Sequence, residues 1–193
     1  MVAVHPPLVE FLSSERADRL ADAGLFADEP QGMAGAWPRI CELWEATVAD
    51  ARRRPAWQLD EQVDGEWSFV ETLRHLVFVA DAWVGDVIEE AESPYHPWGM
   101  PPDFLQHRAG DLGLTLDARP SLEEVLAVRR ERTARVAQVV DRLDEAELHR
   151  TCRPRDGRFT VVGALQTVTF EEWAHHQYAT RDLARLDADA TDR

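Results

Sequence analysis

Apolar residues recur every three to four positions through four long stretches of this chain, and no stretch alternates in the two-residue rhythm of a half-buried strand. Two of the four open on the same local device: Ser68 followed by Glu71, and Ser121 followed by Glu124. In such a pair the serine oxygen accepts from an amide of the first turn while the glutamate reaches back to the serine amide, so two otherwise orphaned helix N–H groups are satisfied. The spacing therefore predicts one helix from Ser68 through Val70, Leu73, Leu76, Val77, Val84 and Ile88 to about Ala91, and another from Ser121 to about Leu143. An earlier helix is expected from about Ala34 to Arg54, carrying Trp37, Ile40, Leu43, Trp44 and Val48 on one side. Pro38 falls near its start, where a missing N–H is harmless, and Pro55 marks its end. The last covers about Val161 to Leu186, after a turn signal at Asp156-Gly157. Four long helices without strands read as an all-α fold, a four-helix bundle.

The expected organisation is an N-terminal extension over 1–32, the bundle over 33–187 and a short tail over 188–193. Pro6-Pro7 and Pro30 bracket one short helix in the extension, roughly Ser13 to Ala23, and no chemistry suggests itself there. Residues 93–120 are rich in Pro and Gly and too long for a simple helix–helix turn; connections of that length are more often functional than idle.

Charge removes several classes of function. With 21 Lys+Arg against 36 Asp+Glu the net charge is -15, so the surface repels polyanions: no nucleic acid and no anionic membrane is expected as a partner. The two cysteines, Cys41 and Cys152, form no CxxC pattern and read as reduced thiols. No apolar run is long enough to span a membrane and the start lacks a basic export signal, so a cytoplasmic location is the expectation.

The most informative stretch is Phe170-Glu171-Glu172-Trp173-Ala174-His175-His176. A carboxylate and an imidazole four positions apart project from the same side of a helix, so both reach one ion. Two pairings satisfy that spacing, Glu171 with His175 and Glu172 with His176. At roughly 100° per residue, Leu165, Val168, Glu172, His176, Ala179, Leu183 and Leu186 fall within about 40° of one line. A Glu and a His inside an apolar stripe are expensive unless compensated, and a metal ion is one compensation. The wheel thus selects Glu172 and His176 and leaves Glu171 and His175 off the core face, beside Tyr178 and Asp182. A third ligand is available in His75 on the second helix, whose neighbours Glu71, Phe78, Val79 and Ala82 form a mixed side; on the residues alone it reads equally as a surface or hydrogen-bonded histidine. Arg129 and Arg132 share a stripe of the third helix, and Arg129 is the first candidate to anchor an anionic substrate group, against pairing with a nearby Glu. His96 and Trp98 in the long loop are candidates to cap the site. Arg181-Asp182 reads as structural, pinning the end of the last helix.

Together, WSFVETLRHLVFVADAW and FEEWAHHQYATRDLARL resemble the DinB-like superfamily of metal-binding bundles, over about Ala34 to Leu186. The resemblance implies one histidine from the second helix and two ligands four apart on the last. The usual set is three histidines, the last followed closely by Gly-Gln; here a glutamate takes the first position and Gln177-Tyr178-Ala179 follows His176. A two-His, one-Glu set resembles the mycothiol-dependent maleylpyruvate isomerase branch. The expectation is therefore a metal site at His75, Glu172 and His176 holding Zn²⁺, with Ni²⁺ as the second choice. The ion would activate a low-molecular-weight thiol for transfer to, or isomerisation of, a small electrophile, with Arg129 and His96 toward the substrate. A composition poor in Lys and rich in Ala, Arg, Asp and Val makes mycothiol the thiol of choice, by analogy. A metal-dependent hydrolase and a non-catalytic metal- or small-molecule-binding stress protein are the rivals, and a homodimer stays open.

Overall fold

A computed structural model describes residues 12–152 and 159–191, and among these every regular element is a helix, with one isolated bridge between Thr151 and Thr160 and no strand. The long helices are α2 (Pro30–Ala51), α4 (Phe69–Ala80), α5 (Leu122–Val140) and α7 (Val161–Thr191), and they pack around one another as α2–α7–α4–α5. Shorter pieces are α1 (Ser14–Asp22), α3 (Ala56–Leu59) and α6 (Glu145–Leu148). The all-α four-helix bundle is the observed architecture.

Both capping boxes form. Ser68 accepts from the Glu71 amide at 3.2 Å while Glu71 accepts from the Ser68 amide at 3.0 Å, and Ser121 and Glu124 repeat the arrangement at 3.4 and 2.8 Å. Glu71 also accepts from Gln62, so both partners hold it at the start of α4. Elsewhere the bounds shift. α2 starts at Pro30 rather than near Ala34, because Pro30 suits a first helical position, and Pro38 consequently lies inside the helix. The second bundle helix passes from α into a π-helical segment, Asp81–Ile88, a geometry without a signature in apolar spacing. α7 runs on to Thr191, past the boundary expected at 187. The Asp156-Gly157 turn lies outside the described residues.

The core is the seam of these helices. Leu73, Leu76 and Val84 from the second helix meet Val125 and Val136 of α5 and Val161, Leu165 and Val168 of α7, all buried. Leu20 of α1 is fully buried against the same cluster, which docks the extension onto the bundle. The long segment 93–120 is folded rather than open. It contains a 3₁₀ turn at Asp103–Arg108, and Leu105, Ala109 and Leu114 pack on Phe78 and Ala82 as a second apolar cluster. Gly85 permits that approach: a Cβ there would stand 2.9 Å from Pro94 Cβ and 3.1 Å from Arg135 Nη1.

The peg holding this segment is Arg74, 1% exposed. Its guanidinium donates to the carbonyls of Trp98 (3.0 Å), Thr115 (2.9 Å), Leu116 (3.1 Å) and Ala118 (2.9 Å). Burial pushes its pKa down from the usual arginine value, with Arg119 adding to the effect. A planar fork with five N–H donors is suited to gathering several carbonyls at once.

Candidate metal centre

α4 and α7 lie side by side, and three ligand-bearing side chains meet at their seam. His75 comes from α4; Glu171 and His175, one turn apart, come from α7. One ligand atom from each lies within 4.8 Å of the other two. Glu171 Oε2 is 3.2 Å from His175 Nε2 and 3.7 Å from His75 Nε2. This is the one group of three or more His, Cys, Asp and Glu with such convergence among the described residues.

The surroundings fix each ring. His75 Nδ1 donates to the Met100 carbonyl at 3.0 Å, which leaves Nε2 pointing at the carboxylate with a lone pair. Burial pushes the His75 pKa below the ordinary imidazole value, with His175 adding to the effect and Glu171 opposing it. Burial also works against ionisation of Glu171, but the imidazoles of His175 and His75 beside it outweigh that and hold the carboxyl well below the usual carboxylate range. With its Nδ1 proton on Met100, His75 turns the Nε2 lone pair to the Glu171 carboxylate 3.7 Å away, acceptor to acceptor. That arrangement asks for a cation between them, and imidazole with carboxylate is a donor set that Zn²⁺ accepts. Trp67 covers both imidazoles, its ring centroid 4.5 Å from that of His75 and 5.8 Å from that of His175. The loop carrying Trp67 is tied to α7 by Arg181, which donates to Glu66 (2.6 Å) and Asp182 (2.7 Å), and by an Arg185–Asp64 ion pair. Arg181-Asp182 is structural, as expected, but it pins a wall of the site as well as the helix.

Glu172 and His176 do not join His75, and the ligand set read from the helical wheel is corrected here. Both are buried, as the apolar stripe required, yet they face away from α4 and find protein partners. Glu172 is held by Arg129 in a two-pronged ion pair at 3.2 and 2.9 Å. His176 Nε2 is 2.9 Å from Thr47 Oγ1, and its ring meets Trp44 edge-on with centroids 5.3 Å apart. The cost of burying a carboxylate and an imidazole is met by side chains of α5 and α2 instead of by an ion. Glu171 and His175 sit on the half-buried flank of α7, where hydrophobic patterning carries no signal; the i,i+4 spacing with His75 was the only clue to them.

The two residues expected toward the substrate are also otherwise engaged. Arg129 spends its terminal nitrogens on Glu172 and lies over the Trp44 ring at 5.1 Å. It borders a cavity of about 780 Å³ between α2 and α5, with Trp37, Cys41 and Trp44, on a different side of α7 from Glu171. Cys41 in that cavity has its thiol pKa pushed up to about 11 by burial and by Glu172. His96 accepts from the Trp98 amide at 3.1 Å and its own amide donates to Asp81, so it anchors the long loop. Arg132 donates to that same Asp81 at 2.8 Å.

Removing one half of the Glu172–Arg129 pair leaves the other buried and unpaired. Arg129→Met is expected to cost about 3 kcal/mol in chemical denaturation, most of which returns in Arg129→Met combined with Glu172→Leu. A single variant as stable as the parent would show that the pair is solvated.

A family model described as the DinB superfamily matches residues 12–179. The chain belongs to the DinB superfamily. The match takes in α1, which the sequence had set apart as an extension, and includes His75, Glu171 and His175. No curated protein and no solved structure gives a significant match. Metal binding is common in DinB proteins, and the His75–Glu171–His175 group is where this member has the donors for it. Among the described residues no helix is long and apolar enough to cross a membrane.

Proposed function

We propose that this DinB protein is a metal-dependent enzyme that uses His75, Glu171 and His175 to hold a divalent cation, Zn²⁺ before Ni²⁺, and transfers a low-molecular-weight thiol to a small electrophile or isomerises that electrophile with the thiol's help. The carrying observation is the convergence of three ligand atoms within 4.8 Å at the α4–α7 seam. Two imidazoles and one carboxylate are a donor set that would hold Zn²⁺ and leave it open to an exogenous group. A divalent cation there supplies the Lewis acidity that favours the deprotonated form of a thiol or of water at neutral pH. The chain's own residues do the rest. Met100 fixes the His75 tautomer, Trp67 restricts water over the imidazoles, and Phe78, 6.4 Å from His75 between ring centroids, adds an apolar wall. Such walls favour a carbon-rich electrophile.

Mycothiol is the thiol suggested by the two-His, one-Glu ligand set and by the composition. The test is a conjugation screen with mycothiol, glutathione and bacillithiol against maleylpyruvate-like and haloaromatic acceptors, run on zinc-loaded and chelator-treated protein. Metal-dependent loss of free thiol is expected with at least one pair. Equal behaviour of the two forms toward every acceptor would sink the transferase reading. Ester or amide cleavage in the same screen would move the assignment to a hydrolase.

A further inference from the structure

The Glu171 carboxylate has two distinct sides. Oε2 faces the two imidazoles, whereas Oε1 is 3.4 Å from Nη1 of Arg16, a residue of α1 outside the four long helices. We propose that Arg16 is a positioning residue of the metal centre, holding Oε1 so that Glu171 presents the single oxygen Oε2 to the space between His75 and His175. The proposal rests on the metal reading of those three residues and adds to it a role for the N-terminal helix.

The geometry around Arg16 is built rather than incidental. Its guanidinium lies over the Phe170 ring at 4.8 Å, next to the carboxylate it meets, so the stem and head are both located. α1 itself is anchored by the fully buried Leu20 and capped by Ser13, whose hydroxyl accepts from the Arg16 amide at 3.3 Å. Arg19, one turn on, lies over Phe170 and Trp173 at 5.7 and 5.1 Å and so docks the same helix. A glutamate on a helix flank has rotamer freedom to offer one oxygen, both, or neither. Partners behind the first ligands remove that freedom, and their loss typically costs about 10–100-fold in metal affinity. Arg16 also brings positive charge near the ion. If repulsion were its main effect, removing it would tighten binding, so the direction of the change separates positioning from simple charge.

The test uses the full chain with Co²⁺ as a spectroscopic probe and Zn²⁺ in competition with a chromophoric chelator. Arg16→Ala is expected to bind Zn²⁺ about tenfold more weakly and to shift the Co²⁺ visible bands, as the carboxylate changes its mode of binding. Arg16→Lys should recover most of both. Arg19→Ala, which removes the neighbouring cation but leaves Arg16 on Glu171 and α1 anchored by Leu20, should match the parent in band position and affinity. Unchanged or tighter binding by Arg16→Ala, or an equal loss in Arg19→Ala, overturns the positioning role. A parent protein that takes up no Co²⁺ at all instead overturns the metal reading itself, so the two failures are distinguishable.

Discussion

His175→Ala should lose tight divalent-metal binding by about a hundredfold or more, while His176→Ala keeps a full equivalent. The two histidines are neighbours in sequence, and 100° of helical rotation separates their fates. His175 Nε2 meets the Glu171 carboxylate at 3.2 Å and its ring lies 4.7 Å from that of His75, so its removal takes one ligand out of three. His176 holds Thr47 and packs on Trp44. Its loss leaves a cavity and a buried hydroxyl with one partner fewer, a stability cost of about 2 kcal/mol with no reason to change metal content. Glu171→Gln and Glu172→Gln should divide the same way. Competition titration with a chromophoric chelator, beside urea melts of each variant, reads both quantities. Retention of the ion by His175→Ala together with its loss from His176→Ala would return the site to the apolar stripe and refute the geometry described here.

The largest expected effect on stability belongs to Arg74→Leu, at about 4–5 kcal/mol. Four carbonyls lose a charged donor, each such bond contributing about 1.5 kcal/mol, and water recovers part of the loss as the segment lifts. The damage should be local first. Amides of 93–120 are expected to exchange faster by orders of magnitude, while those of α5 and α7 remain protected. The site should feel it as well. The Met100 amide donates to the Arg74 carbonyl at 3.1 Å, and the Met100 carbonyl fixes His75, so a displaced loop frees that ring. Metal affinity should fall about tenfold in the same variant. Arg74→Lys should rescue little, since a single ammonium cannot span the fork's four acceptors. A variant whose loop amides stay protected would show that the second apolar cluster, around Phe78 and Leu105, holds the segment without the guanidinium.

Much of the scaffold was legible because its signals are local. Ser68 with Glu71 and Ser121 with Glu124 specify helix starts within four residues, and both boxes form. The stripe Leu165, Val168, Glu172, His176, Ala179 and Leu183 was read correctly as a buried face, since periodicity reports burial. The inference from burial to ligation failed. A buried Glu or His needs a partner, but its identity depends on what α5 and α2 present across the core: here Arg129 and Thr47, more than forty and more than a hundred residues away in sequence.

The sequence by itself determined the all-helical bundle, the starts of α4 and α5, the net charge of -15, and the two overlapping i,i+4 Glu/His pairs carried by the last helix. Only the tertiary structure decided which of the two overlapping pairs turns toward His75, that Arg16 in the first helix reaches the chosen carboxylate, and that Arg74 ties the long loop to the site. The physical reason is range. Capping and periodicity are set by neighbours along the chain, whereas the partner of a buried charge is set by the rotation and crossing of whole helices, to which every core side chain contributes.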